Sequence, residues 1–171
     1  MITRAAINGR SDPSGSDLTE QCWTKSILDN SGCRLLLDLH NLYANALNFG
    51  LDPESYLHEF PLSNVNIIHL SGGVWVTPTD RYAKQSINLN SLNSDKYLLD
   101  DHLHDVPSDV FQLLTQVAAH TPQPLTVIIE RDGNYPLFDA LLHQIDMARN
   151  ALQAGRNRLF AANKEGLCNV I

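Results

Sequence analysis

Three short apolar runs, 34–38 (RLLLD), 65–70 (VNIIHL) and 125–130 (LTVIIE), recur along the chain with helix-patterned segments between them. Each carries a side chain capable of chemistry at or near its C-terminal end. Continuous apolar runs of this length are the pattern of parallel strands covered on both faces. Strands alternating with helices predict an α/β fold with right-handed crossovers. Two architectures share that pattern. A doubly wound nucleotide-binding sheet opens its first helix with a glycine-rich turn, and neither GxGxxG nor GxxxxGK[ST] occurs. A TIM (β/α)8 barrel gathers the C-terminal ends of its strands at one mouth, which is where Asp38, His69 and Glu130 fall. The barrel is the better reading. A complete barrel takes about 250 residues, whereas this chain has 171 and three convincing strands. The expectation is the C-terminal portion of a barrel, incomplete.

Residues 1–16 crowd Ser, Gly, Asp and Pro without apolar period and read as an irregular segment. Residues 17–156 read as the partial barrel and 157–171 as a tail. Asp17 with Glu20 three residues on predicts a capping box opening a helix whose inner face carries Leu18, Cys22, Trp23 and Ile27, and Gly32 ends it. Asp52 caps and Pro53 opens a short helix through Tyr56, Leu57 and Phe60. The long polar stretch 74–97 has no helical period, and a loop of that length inside a compact unit is usually functional, here as a lid. Pro107 starts a helix with Val110, Leu113, Leu114 and Val117 inward. Pro136 opens a last long one with Leu137, Ala140, Leu141, Ile145, Ala148 and Leu152 on one face.

Nineteen Asp+Glu against 12 Lys+Arg leave a net charge of −7. Without a basic face to neutralise phosphate, neither a nucleic acid nor an anionic membrane is expected as a partner. No apolar run approaches the roughly 18 residues of a bilayer span, and residues 1–4 do not begin a secretory signal, so a cytoplasmic location is expected. Cys22, Cys33 and Cys168 are odd in number and far apart, which predicts reduced, mostly buried thiols rather than a disulfide framework.

Asp38, His69, His102 and Glu130 together are two carboxylates and two imidazoles, the ligand mixture of non-haem iron, manganese or catalytic zinc. Each also has a plainer reading. An Asp at a strand end is often a helix cap or turn former, and His69 after Ile67 and Ile68 reads equally as a core histidine bonded to a backbone carbonyl. Glu130 closes so apolar a run that it is expected at least partly buried, where a carboxylate needs a cation, a metal or a shifted pKa. Arg131 alternates to the opposite face and is a poor partner for that pocket. His40, His58, His120 and His143 read as surface or helix-face residues, with His40 close enough to Asp38 to lean into the mouth. Asp132-Gly133-Asn134 reads as a turn.

Four segments in order, GCRLLLDLHNLY (32–43), IHLSGG (68–73), LDDHLHDVP (99–107) and IERDGNYP (129–136), resemble the DUF692 proteins. These are the multinuclear non-haem iron-dependent oxidative enzymes, which include the methanobactin-biosynthesis enzyme. The resemblance runs from about Leu18 to Arg156. It implies a TIM barrel related to xylose isomerase, holding two or three irons and oxidatively modifying cysteine or other residues of a ribosomally made precursor peptide. A small partner protein often presents that peptide. Carried onto this chain, it implies that Asp38, His69, His102 and Glu130 are iron ligands and catalytic, with Asn41 and Asp100 at further polar positions beside the metal. Members commonly have Asn where His40 stands and His where Gly73 stands, and the segment between His69 and Asp100 is longer here. The family's earlier strands supply two histidines and a bridging glutamate that residues 1–17 do not replace. The expectation is at most one iron per chain, with a further chain supplying the missing strands. The other readings are a non-catalytic remnant or split subunit that binds a peptide or sister chain, and a divalent-metal isomerase or hydrolase on the same barrel.

Overall fold

The computed structural model describes residues 18–77 and 96–168, with side chains through Ala162 and at Lys164. Helix α1 (Glu20–Ser31) is capped by Thr19, whose hydroxyl accepts from Cys22 N at 3.2 Å, and ends at Gly32, a left-handed residue at φ 69°. The expected capping box shifts accordingly. Asp17 lies outside the described residues, and Glu20 is the first helical residue, its carboxylate instead accepting from the Tyr56 hydroxyl at 2.8 Å.

Strands β1 (Leu35–Asp38), β2 (Val65–Leu70) and β5 (Thr126–Ile129) form one parallel sheet in the order β1-β2-β5. Register puts Asp38 opposite His69 and His69 opposite Ile128, and the Glu130 amide extends the ladder to Leu70 O at 2.8 Å. The three strand ends are therefore level. This is a mixed α/β architecture consistent with part of a TIM barrel.

Alternation along these strands sorts the side chains into two faces. Leu35, Leu37, Ile68 and Leu70 join Val127 and Ile129 in the core beneath the helices, with Leu57, Val110, Leu114 and Val117. Leu36, Ile67, Thr126 and Ile128 point the other way, and Ile128 is 41% exposed. The strands expected to be covered on both faces are covered on one among the described residues. On the second face Leu36 and Ile67 are partly covered and Ile128 is exposed.

Helix α2 (Leu39–Asn48) begins at Asp38 without a loop, in a stretch to which the sequence pattern assigns no element. Helix α3 (Pro53–His58) is capped by Asp52, as expected, and a 3-10 turn (Leu62–Asn64) leads into β2. After β2 the chain forms β3 (Gly73–Val76), paired antiparallel with β4 (Tyr97–Asp100). Both flanks of the stretch expected to be an unstructured lid are thus strands, while residues 78–95 lie outside the described part. Asn48 anchors the hairpin to α2: its side chain donates to Leu98 O at 2.9 Å and accepts from Leu98 N at 2.7 Å.

Helix α4 (Ser108–His120) buries Val110, Leu113, Leu114 and Val117 as its periodicity predicts. Helix α5 (Phe138–Cys168) starts two residues after Pro136 and runs through 157–168, the segment read as a tail. Its buried stripe is Gln144, Ala148 and Ala151, continued by Gly155, where a Cβ would meet the Thr115 carbonyl oxygen on α4. Small side chains let the two helices approach closely, so the stripe is rotated from the expected leucine face; Leu137 is 84% exposed. The face of α1 is corrected likewise: Gln21, Thr24 and Leu28 are buried, while Leu18, Trp23 and Ile27 are exposed. Cys22 and Cys33 are exposed free thiols, against the expectation of burial.

Candidate metal centre

Each predicted ligand is held by the element that carries it. Asp38 ends β1 and caps α2 at once: its Oδ1 accepts from Asn41 N at 2.9 Å, leaving the second oxygen for another partner. The cap reading and the ligand reading hold for different oxygens of one carboxylate. His69 is the penultimate residue of β2, and its Nδ1 lies 2.7 Å from Glu130 Oε1. Glu130 follows β5 and is partly buried as expected, its side chain 29% exposed. Arg131 turns away to Asp105 and the carbonyls of Gly133 and Asn134.

His102 is held by backbone strain. Its φ is 58°, the left-handed region that a β-carbon disfavours. Two backbone bonds fix it there, His102 N to Gly72 O and Asp132 N to His102 O, each 3.0 Å. Gly72 permits this approach, since a Cβ there would collide with the carbonyl oxygens of His104 and Asp105. The imidazole then lies 3.3 Å from Asp100 Oδ1 through Nε2, and 3.3 Å from Glu130 Oε2 and 3.4 Å from Asp132 Oδ2 through Nδ1.

Two three-residue groups result, each with its candidate ligand atoms within 4.8 Å of one another: Asp38, His69 and Glu130, and Asp38, Asp100 and His102. Asp38 belongs to both. Hard oxygens and imidazole nitrogens converging at strand ends fit a divalent first-row metal. The electrostatics agree. Asp100 pairs with His40 and His102, and Glu130 with His69 and His102, all of them groups that carry charge only when protonated. Burial pushes the Asp38 carboxyl above its ordinary 3.8, and the Asp100 charge adds to the rise against the Asn41 bond. Asp100 is also desolvated, yet the His40 hydrogen bond and the charges of His40 and His102 hold it below 3.8. Burial alone would lower His102, but the carboxylates of Asp100, Asp38, Glu130 and Asp132 together raise it. A cation among these groups would answer the charge that burial leaves poorly compensated.

Asn41 lies beside the centre without joining either group, its Nδ2 3.4 Å from Asp100 Oδ2 and its Oδ1 engaged by Asn45. Asp132 and Ser71 escape the sequence reading, and His40 takes the place in the mouth that its closeness to Asp38 allowed. Asp132, read as a turn residue, brings a carboxylate to His102. Ser71 donates to Asp100 Oδ1 at 3.0 Å. His40, read as a surface or helix-face residue, is fully buried with Nδ1 2.8 Å from the same oxygen. His58 and His120 meet edge to face at 4.6 Å, away from the centre.

The model of the RiPP precursor modification enzymes MbnB/TglH/ChrH, which act on ribosomally synthesised and post-translationally modified peptides, matches residues 10–153. The chain belongs to this family. It is the family that the four sequence motifs resemble. Curated relatives carry the name UPF0276 protein: one from Caulobacter vibrioides is 33% identical over 145 residues, covering 85% of this chain and 45% of the relative. One from Streptomyces avermitilis is 29% identical over 144 residues, 84% of this chain and 26% of the relative. A third, from Shewanella amazonensis, is 29% identical over 137 residues, 80% of this chain and 42% of the relative. The chain thus spans less than half the length of these relatives. Among its described residues, no helix is long and apolar enough to cross a membrane.

Proposed function

We propose that this chain forms the C-terminal portion of an iron-dependent enzyme that oxidatively modifies cysteine or another residue of a ribosomally made precursor peptide. The barrel would be xylose-isomerase-like, its remaining strands contributed by a further chain, and a small partner protein would present the peptide. The observation that carries the reading is the sharing of Asp38 between two carboxylate–imidazole groups at level strand ends. Iron bound there supplies redox chemistry with dioxygen as the oxidant. The expectation of at most one iron per chain stands as part of this proposal, since Asn41 N leaves Asp38 a single oxygen for a metal.

The roles of the chain's own residues follow from their contacts. Asp38 presents one oxygen because Asn41 N occupies the other. Glu130 lies between His69 and His102, one oxygen near each, and so couples the two groups. His102 faces Asp100 and Glu130 from its left-handed backbone. Asp38, His69, His102 and Glu130 are the proposed catalytic ligands, with Asp100 completing the second group and Asn41 beside it.

Anaerobic reconstitution with ferrous iron alone, followed by desalting, metal analysis and exposure to dioxygen, tests the proposal. Retained iron that consumes dioxygen is the expected result. Retained iron that takes up no dioxygen would overturn the redox reading in favour of a hydrolytic or isomerising centre, and no retained iron would overturn the iron centre.

A further inference from the structure

His40 is the deepest titratable side chain near the centre, and neither ligand group includes it. Its Nδ1 is 2.8 Å from Asp100 Oδ1, whereas its Nε2 has no hydrogen-bond partner among the described residues. A leucine would fill the same space without leaving a polar atom unmet. The imidazole is therefore retained against a cost, and its bond to Asp100 is the compensating contact. The space itself depends on Gly73, which pairs with Asp100 across the hairpin: a Cβ there would lie 2.5 Å from His40 Cε1.

We propose that His40 is a positioning residue that, with Ser71, fixes the orientation of the Asp100 carboxylate toward the ion position shared with Asp38 and His102. The inference rests on the metal-centre reading above. Asp100 Oδ1 receives the His40 Nδ1–H at 2.8 Å and the Ser71 hydroxyl at 3.0 Å and lies 3.3 Å from His102 Nε2, while Oδ2 lies 3.4 Å from Asn41 Nδ2. A carboxylate hinged on β4 would otherwise rotate about its last bond. Locking one oxygen from the opposite helix removes that freedom, as outer hydrogen bonds do for metal ligands generally. His40 and Gly73 act as a matched pair, the glycine providing the volume that the ring occupies.

The test has two arms on the full chain. In the metal-free protein, long-range proton–nitrogen NMR is expected to find His40 protonated at Nδ1 and bare at Nε2; the opposite tautomer would overturn the bond to Asp100. In the second arm, manganese(II) is titrated as a spin probe into wild type, His40→Leu and His40→Asn, with thermal unfolding followed in parallel. Asparagine carries its amide nitrogen on Cγ, where Nδ1 sits, so it keeps the donor. His40→Leu should bind manganese about 10- to 100-fold more weakly, and His40→Asn within about threefold of wild type. Wild-type affinity in a folded His40→Leu protein, or equal losses in both variants, would overturn the positioning role. If wild type itself binds no manganese, the metal-centre reading fails, and the tautomer arm decides the His40 bond independently.

Discussion

At the residue scale, the centre consists of side chains held in conformations that folding alone would not select. His102 is the clearest case. A left-handed backbone is readily accessible to glycine and costs other residues, so His102→Gly should be more stable than His102→Ala by about 1 kcal/mol, and both should lose the second ligand group. Urea unfolding of the two variants checks this; equal midpoints would mean that the strained backbone is absent in solution. Asp38 supplies a pH-dependent prediction. Its folded pKa is raised above the ordinary 3.8, chiefly by burial. Its contribution to stability is therefore present below that value and lost as pH rises through the folded one. Asp38→Asn keeps the cap oxygen and cannot ionise, so in metal-free protein its stability relative to wild type should climb with pH across that window and then level. Isothermal denaturation at several pH values measures it, and a difference independent of pH would contradict the assignment.

At the element scale, the loop 101–106 is set by its closeness to the turn after β2. Gly72→Ala places a Cβ against the carbonyl oxygens of His104 and Asp105, so the loop must move and carry His102 with it. The expected cost is that of an overpacked site, about 1–3 kcal/mol, together with weakened metal binding. A variant with wild-type stability and metal content would contradict it. The strand ends were legible in the sequence because a parallel strand writes itself as an apolar run, and Asp38, His69 and Glu130 stand where those runs stop. His102 joined them as an imidazole of the 99–107 segment, while Asp100 was reached through motif resemblance, since the hairpin strand it ends is short. Helix α2 left no readable signal: its cap, Asp38, is also the last strand residue, so LLLDLHNLYANAL crosses from strand to helix without a Gly or Pro to mark the change. The burial of His40 followed that loss. On α5 the expected face held at Ala148 and Leu152 and failed at Leu137 and Ile145, and the face of α1 was misjudged, because leucine, tryptophan and isoleucine mark apolar surface without naming what covers it.

At the scale of the whole molecule, β1 and β5 are the edges of a three-stranded parallel sheet among the described residues, and on the face bearing Leu36 and Ile67 the side chain of Ile128 is 41% exposed. Trp23, Ile27, Leu137 and Phe138 are exposed as well. Unpaired edges and exposed apolar surface favour association. The isolated chain should therefore sediment above the mass of one chain, increasingly so with concentration; a single monomeric boundary at all concentrations would contradict this. The central claim is that side chains from separate strands form one metal centre hinged on Asp38. The direct measurement is the ferrous iron retained per chain after anaerobic reconstitution and desalting, compared between wild type and a folded Asp38→Ala variant. Because Asp38 belongs to both ligand groups, wild type should retain iron and the variant should lose nearly all of it. Equal iron in the two proteins would contradict the account.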